Sequence, residues 1–145
     1  MRLFAVIVTL LLATVASACG GSSDSPTAPS APSVNVPFST IDVRVGTGAE
    51  ATTGRLVNVN YALYHYSASA ADNKGGVIQT GPFSFTIGSG QAIAGFSQAT
   101  IGMRVGGLRR AIVPPSLAYG ANPPANSGIA ANETLVFEIE LVAVQ

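Results

Sequence analysis

Apolar and polar positions alternate with period two in several separate stretches of the chain, the pattern of strands with one buried face. In the last of them Leu135, Phe137, Ile139 and Leu141 fall on one side, and Glu138 and Glu140 on the other, as the solvated side of a strand would. Leu56 to Tyr66 is the longest strand predicted. Val57, Val59, Tyr61 and Leu63 share a face opposite Asn58 and Asn60, while Tyr64 and Tyr66 take the second face and His65 has inner-face parity near the end. Phe83, Phe85 and Ile87 align in a third strand, reached from Val77–Thr80 through Gly81-Pro82, with Ser67 to Gly76 as a polar loop before it. Ile41 to Val45 reads as a short strand closed by Gly46-Thr47-Gly48. Leu108 to Val113 reads as another, ended by Pro114-Pro115, which cannot donate to a ladder. Between Pro115 and Leu135 lies a stiff, turn-rich loop carrying Tyr119 and Ile129, suited to forming the wall of a pocket. The period changes once: Phe96, Ala99, Thr100 and Met103 have helical spacing, so a single helix is predicted over Ala94 to Met103, weakened at its end by Gly102. One short helix against several antiparallel strands makes an α+β domain, expected from about Val36 to Gln145.

Composition narrows what such a domain does. The chain has 145 residues, 48% hydrophobic, enough for one core. Charged residues make up 10% and the formal net charge is zero, which argues against nucleic-acid binding, since that needs a basic stripe. One Cys forbids an intramolecular disulfide, and one His argues against a zinc site of His and Cys, so no metal is expected. His65, with no second His or nucleophile nearby in the pattern, reads as a packing or surface residue. No Ser/His/Asp set, phosphate loop or Cys/His pair is visible, and no cofactor is implied.

The first 35 residues read as an address and a spacer. Arg2 precedes an apolar run, Leu3 to Ala16, too short for a comfortable membrane span. Val15-Ala16-Ser17-Ala18-Cys19 resembles a bacterial lipobox, in which Cys19 is lipidated and becomes the first mature residue after a signal of residues 1–18. Ala16-Ser17-Ala18 also has the A-x-A form of an ordinary signal cleavage site. Residues 19–35 are rich in Gly, Ser, Pro and Ala and lack the large apolar side chains needed to pack. The combined expectation is an extracytoplasmic domain in a bacterial cell envelope, held to the membrane through a lipid anchor only, and monomeric.

What remains for chemistry is a set of apolar and aromatic residues at turns and strand starts: Tyr61, Phe83, Ile93, Phe96, Tyr119, Ile129 and Phe137. Spacing alone does not separate a core from an apolar pocket. Three segments carry more: PFSFTIGSGQAIAGF (Pro82 to Phe96), IGMRVGGLRRAIVPPSLAYG (Ile101 to Gly120) and ETLVFEIEL (Glu133 to Leu141), extended upstream by VNVNYALY (Val57 to Tyr64). Together they resemble the FKBP-type peptidyl-prolyl cis-trans isomerases. That resemblance implies a five- or six-stranded antiparallel sheet wrapped around one short helix, and a pocket for proline. Phe96 would be its floor, with Tyr61, Phe83 and Phe137 as aromatic walls. Ile93 would offer its backbone N–H to a substrate carbonyl, Tyr119 a hydroxyl at the rim, and Ile129 would close the far side. Ala92 stands where the family has a larger residue. The family also places an Asp near the Tyr hydroxyl; here Gln79 takes that place, and Ile78 replaces an aromatic wall.

The implied partners are proline-containing polypeptides and macrolide FKBP ligands. Loss of the pocket carboxylate points to an isomerase of reduced activity, with a domain that binds proline segments without turnover as the second reading. A structural lipoprotein with no ligand is the third, and it predicts no macrolide binding.

Overall fold

The computed structural model describes residues 36–145. The expected signal, Cys19 and the tether of residues 19–35 lie outside the described residues. In chain order the elements are β1 (Ser39–Arg44), β2 (Leu56–Tyr66), β3 (Lys74–Thr86), α1 (Ala94–Thr100), β4 (Leu108–Val113) and β5 (Leu135–Val144), with a 3₁₀ turn at Pro115–Leu117. The strands form one five-stranded sheet in the order β1-β4-β5-β2-β3, every neighbouring pair antiparallel. The α+β class is the one the pattern predicts, with five strands rather than six.

Three boundaries differ from expectation. β3, not β2, is the longest strand, because it begins at Lys74 and runs unbroken through Gly81-Pro82. It lies at the edge of the sheet, where a proline has no outer ladder bond to lose. β1 starts earlier and stops at Arg44, short of the predicted Val45. The helix stops at Thr100, ahead of the predicted Met103; Gly102, at φ 77°, turns the chain away.

The apolar face of the sheet and α1 enclose the core. Val57, Val59 and Leu63 of β2, Phe85 of β3, Ala111 and Val113 of β4 and Leu135, Phe137, Ile139 and Leu141 of β5 pack there with Phe96, Ala99 and Met103. Each large side chain fully buried in this way contributes roughly 1.5–3 kcal/mol. Gly95 lets α1 approach closely, since a Cβ at that position would overlap the Val113 methyl groups. Arg109 closes the far end of the helix. Its Nη1 donates to the Ala99 and Ile101 carbonyls, both at 2.9 Å, while Nε and Nη2 donate to the two Asp42 oxygens at 2.6 and 3.1 Å. That guanidinium holds the Asp42 carboxyl below its usual value and ties β1 to β4.

The outer face is less solvated than its alternation suggests. Glu138 is 17% exposed and accepts from Lys74 Nζ at 3.1 Å and Arg110 Nη2 at 3.0 Å. Lys74 of β3 also lies 5.1 Å above the ring of Tyr64 on β2. Val136, on the same face as Glu138, is fully buried beside its ladder partners Tyr64 and Ile112. β5 is the central strand, and its start is covered on both sides.

Candidate functional site

The strand register assembles the walls of a hollow on the apolar face. Tyr61 stands opposite Gly81 of β3 and Ile139 of β5; Leu63 stands opposite Gln79 and Phe137; Val59 stands opposite Phe83. Period two puts Tyr61, Leu63, Gln79, Phe83 and Phe137 on one side of the sheet. Gly81 shares that side but has no side chain, and a Cβ there would meet nothing within 4 Å. An open strip is left beside the Tyr61 ring.

Helix α1 supplies the bottom. Phe96 is 3% exposed, with ring centroids 5.2 Å from Phe137, 5.4 Å from Phe85, 5.7 Å from Tyr61 and 6.1 Å from Phe83. Its contacts with Tyr61, Phe83 and Phe137 are edge-to-face, the arrangement that the ring quadrupoles favour. Above this floor is a hollow of about 460 Å³, within the range of small-ligand sites. Sheet and helix contribute Tyr61, Leu63, Gln79, Phe83, Phe96 and Phe137 to its lining; loops contribute Gly90, Gln91, Ala92, Ile93 and Tyr119. No lining residue is charged. Among the described residues no cluster of His, Cys, Asp or Glu has the make-up of a metal site.

Two loops form the rim. The Gly88–Gly90 turn is braced by Gln91, whose Oε1 accepts from the Thr86 N–H at 2.9 Å and the Ser89 hydroxyl at 3.0 Å. Ile93 precedes α1 in an extended conformation (φ −57°, ψ 151°), and its carbonyl accepts from the Ser97 N–H. Its own N–H bonds to no other described residue. Tyr119 follows the 3₁₀ turn, and its loop is cinched where Asn132 N–H donates to the Gly120 carbonyl at 2.7 Å. Glu133 anchors the loop's far end: one carboxylate oxygen accepts from the Ala130 N–H at 2.7 Å and the other bonds His65 Nδ1. His65 is thus a loop anchor, in keeping with a packing role. Burial pushes the Tyr61 phenol above its usual value, and the nearby Tyr119 phenol adds to the shift.

Of the residues singled out from sequence, Tyr61, Phe83, Ile93, Phe96, Tyr119 and Phe137 surround this one hollow, with Gln79 and Ala92 beside them. Ile78 and Ile129 do not line it; both are half-buried against the core. For Ile78 the cause is a register shift: Leu63 pairs with Gln79 and Tyr64 with Val77, so Ile78 is the extra residue of a bulge. Ile129 lies in a tight turn in which its N–H donates to Ser127 Oγ, and that turn aims it at the core instead of across the opening. Leu63, Gly90 and Gln91 went unsuggested as pocket residues. Leu63 had the right parity to be found; Gly90 and Gln91 carry no local signal.

Known proteins resemble this chain over most of its described residues. A family model described as FKBP-type peptidyl-prolyl cis-trans isomerase matches residues 48–142. An FK506-binding protein of Streptomyces anulatus is 39% identical over 107 residues, covering 71% of this chain and 82% of that relative. FK506-binding protein 3 of Candida albicans is 40% identical over 107 residues and 73% of this chain, which spans only 24% of that relative's length. The crystal structure of a peptidyl-prolyl cis-trans isomerase from Pseudomonas syringae pv. tomato superposes with a TM-score of 0.61 at 29% identity, covering 74% of this chain and 75% of that one.

Proposed function

We propose that this chain, which belongs to the FKBP-type peptidyl-prolyl cis-trans isomerase family, speeds rotation about X–Pro bonds in client polypeptides. The observation that carries this reading is the uncharged, aromatic-floored hollow of about 460 Å³ around Phe96. An X–Pro bond must lose C–N resonance to rotate, against a barrier near 18–20 kcal/mol, so exchange in water takes tens to hundreds of seconds. The planar amide carries more charge on its oxygen than the twisted one and is better solvated by water. Placing the prolyl ring on Phe96, between Tyr61, Phe83 and Phe137, strips that water and lowers the relative free energy of the twisted state. In this reading the Ile93 N–H and the Tyr119 hydroxyl, both on the lining of the hollow, hold the flanking carbonyls. An acceleration of ~10⁴ requires only about 5.4 kcal/mol off the barrier. The chemistry consumes no proton relay, nucleophile or metal.

The direct test is the isomerisation rate of a short proline peptide with the folded protein. A rate above the uncatalysed one, competed by a macrolide such as FK506, is expected; a folded protein with no rate enhancement sinks the enzyme reading. One observation favours a second reading, that of a module which holds proline segments without turnover: Gln79 stands in the hollow where the family has an Asp, and brings no charge. Peptide affinity that survives without any catalysed exchange would establish it.

The leader sequence supports an envelope location for this activity. With Cys19 acylated and residues 19–35 as a tether, clients would be extracytoplasmic proteins. Mass spectrometry of the mature N-terminus should find a lipid on Cys19, lost in Cys19→Ser; cleavage after Ala18 with an unmodified thiol would replace the anchored protein by a soluble one.

A further inference from the structure

The sheet has two outer strands, and they are guarded differently. β1 has six residues and carries Asp42 and Arg44, charges that discourage an incoming strand. β3 has thirteen residues. After Lys74, which is held by Asp72 and Glu138, it carries no charge. Among the described residues β3 pairs with β2 alone, and no loop backbone bonds to residues 75–81. Gly76, Gln79 and Thr80 are exposed and Val77 is 62% exposed. Pro82 lacks the donor that another strand would need, so the open run ends there. The run is continuous with the hollow: Gln79 lines it, and Gly81 faces Tyr61.

We propose that Gly75–Gly81, the open edge of β3, is a second binding strip. It takes the extended backbone on one flank of the client's proline, adding it to the sheet as a further strand while the proline occupies the hollow. This rests on the hollow being a proline site, as proposed above. The occupant follows from the chemistry. Every residue of an unfolded polypeptide offers an N–H and a C=O, so an edge ladder grips it whatever its sequence. A strip with no charge adds no side-chain preference, which suits a protein that must handle many clients. Two register shifts, one at Ile78 and one between Val77 and Lys74, break the edge into short runs, so the grip is modest and release is retained.

The test compares a short proline peptide with versions extended by several residues on the N-flank or on the C-flank, and with the same extensions N-methylated at alternate residues to remove ladder donors. Extension on one flank should lower KM, or Kd where no turnover is seen, by about tenfold, with kcat unchanged. N-methylation should cancel that gain, and amide exchange at residues 75–81 should slow only with the unmethylated extension. Equal affinity for short and extended peptides, with exchange at residues 75–81 unaltered, overturns the strip and leaves the proline site standing. Protection of residues 75–81 by an extended peptide whose proline is replaced by Ala, with no loss of affinity, supports the strip and removes the proline site instead.

Discussion

Beneath the hollow and around its rim, the same chain is held in two different ways. The floor is Phe96 pressed against Tyr61, Phe83, Phe85 and Phe137, all reached through a helix and a ladder of backbone hydrogen bonds. The rim is Gln79, Gln91, Ala92, Ile93 and Tyr119, mostly on loops and held by a few hydrogen bonds near the surface. Changes at the floor should therefore move stability and binding together. Changes at the rim should move binding or rate while the fold stays intact.

The largest effect should come from breaking the floor. Phe96→Ala removes a ring that is 3% exposed and should destabilise the protein by about 3–5 kcal/mol in denaturant unfolding, with peptide binding lost as well. Should the variant stay folded with affinity unchanged, the prolyl ring does not sit on Phe96.

A smaller effect, and a sharper division, is expected at Gly81. A leucine there has room for its Cβ, and strand alternation sends the side chain into the open strip beside Tyr61. Gly81→Leu should leave unfolding within about 0.5 kcal/mol of wild type while reducing isomerisation or peptide affinity roughly tenfold or more. Equal losses of stability and binding would show that this wall is part of the core.

The smallest effect is electrostatic. Burial raises the Tyr61 phenol pKa in the folded state, so folding favours its neutral form. The resulting stability is fully present below the unfolded phenol value, about pH 10, and fades as pH climbs through the raised folded value. An alkaline unfolding series should show Tyr61→Phe losing less stability than wild type across that window; parallel curves would place the hydroxyl in water.

How much of this was legible beforehand varies by element. Leu56–Tyr66 and Leu108–Val113 match their observed strands, because alternation, flanking glycines and Pro114-Pro115 are all local signals. The third strand starts well before Phe83, at Lys74, and Gly81-Pro82 lies inside it, since tolerance of a proline depends on whether its strand lies at the edge of a sheet, a fact of neighbours. Glu138 misled for a related reason. Its parity was right, but Lys74 and Arg110, distant in sequence, close over it.

The sequence by itself determined the strand faces, the single helix and, through family resemblance, most of the aromatic side chains that share the hollow. Those properties follow from period and residue type, which short-range sterics and burial enforce within a few residues. Only the tertiary structure decided that Ile78 is spent in a bulge, that Gln91 and Gly90 complete the rim, and that Gly81 leaves a gap beside Tyr61. Pairing register and close packing join residues far apart in the chain, and one extra residue in one strand is enough to redirect a side chain.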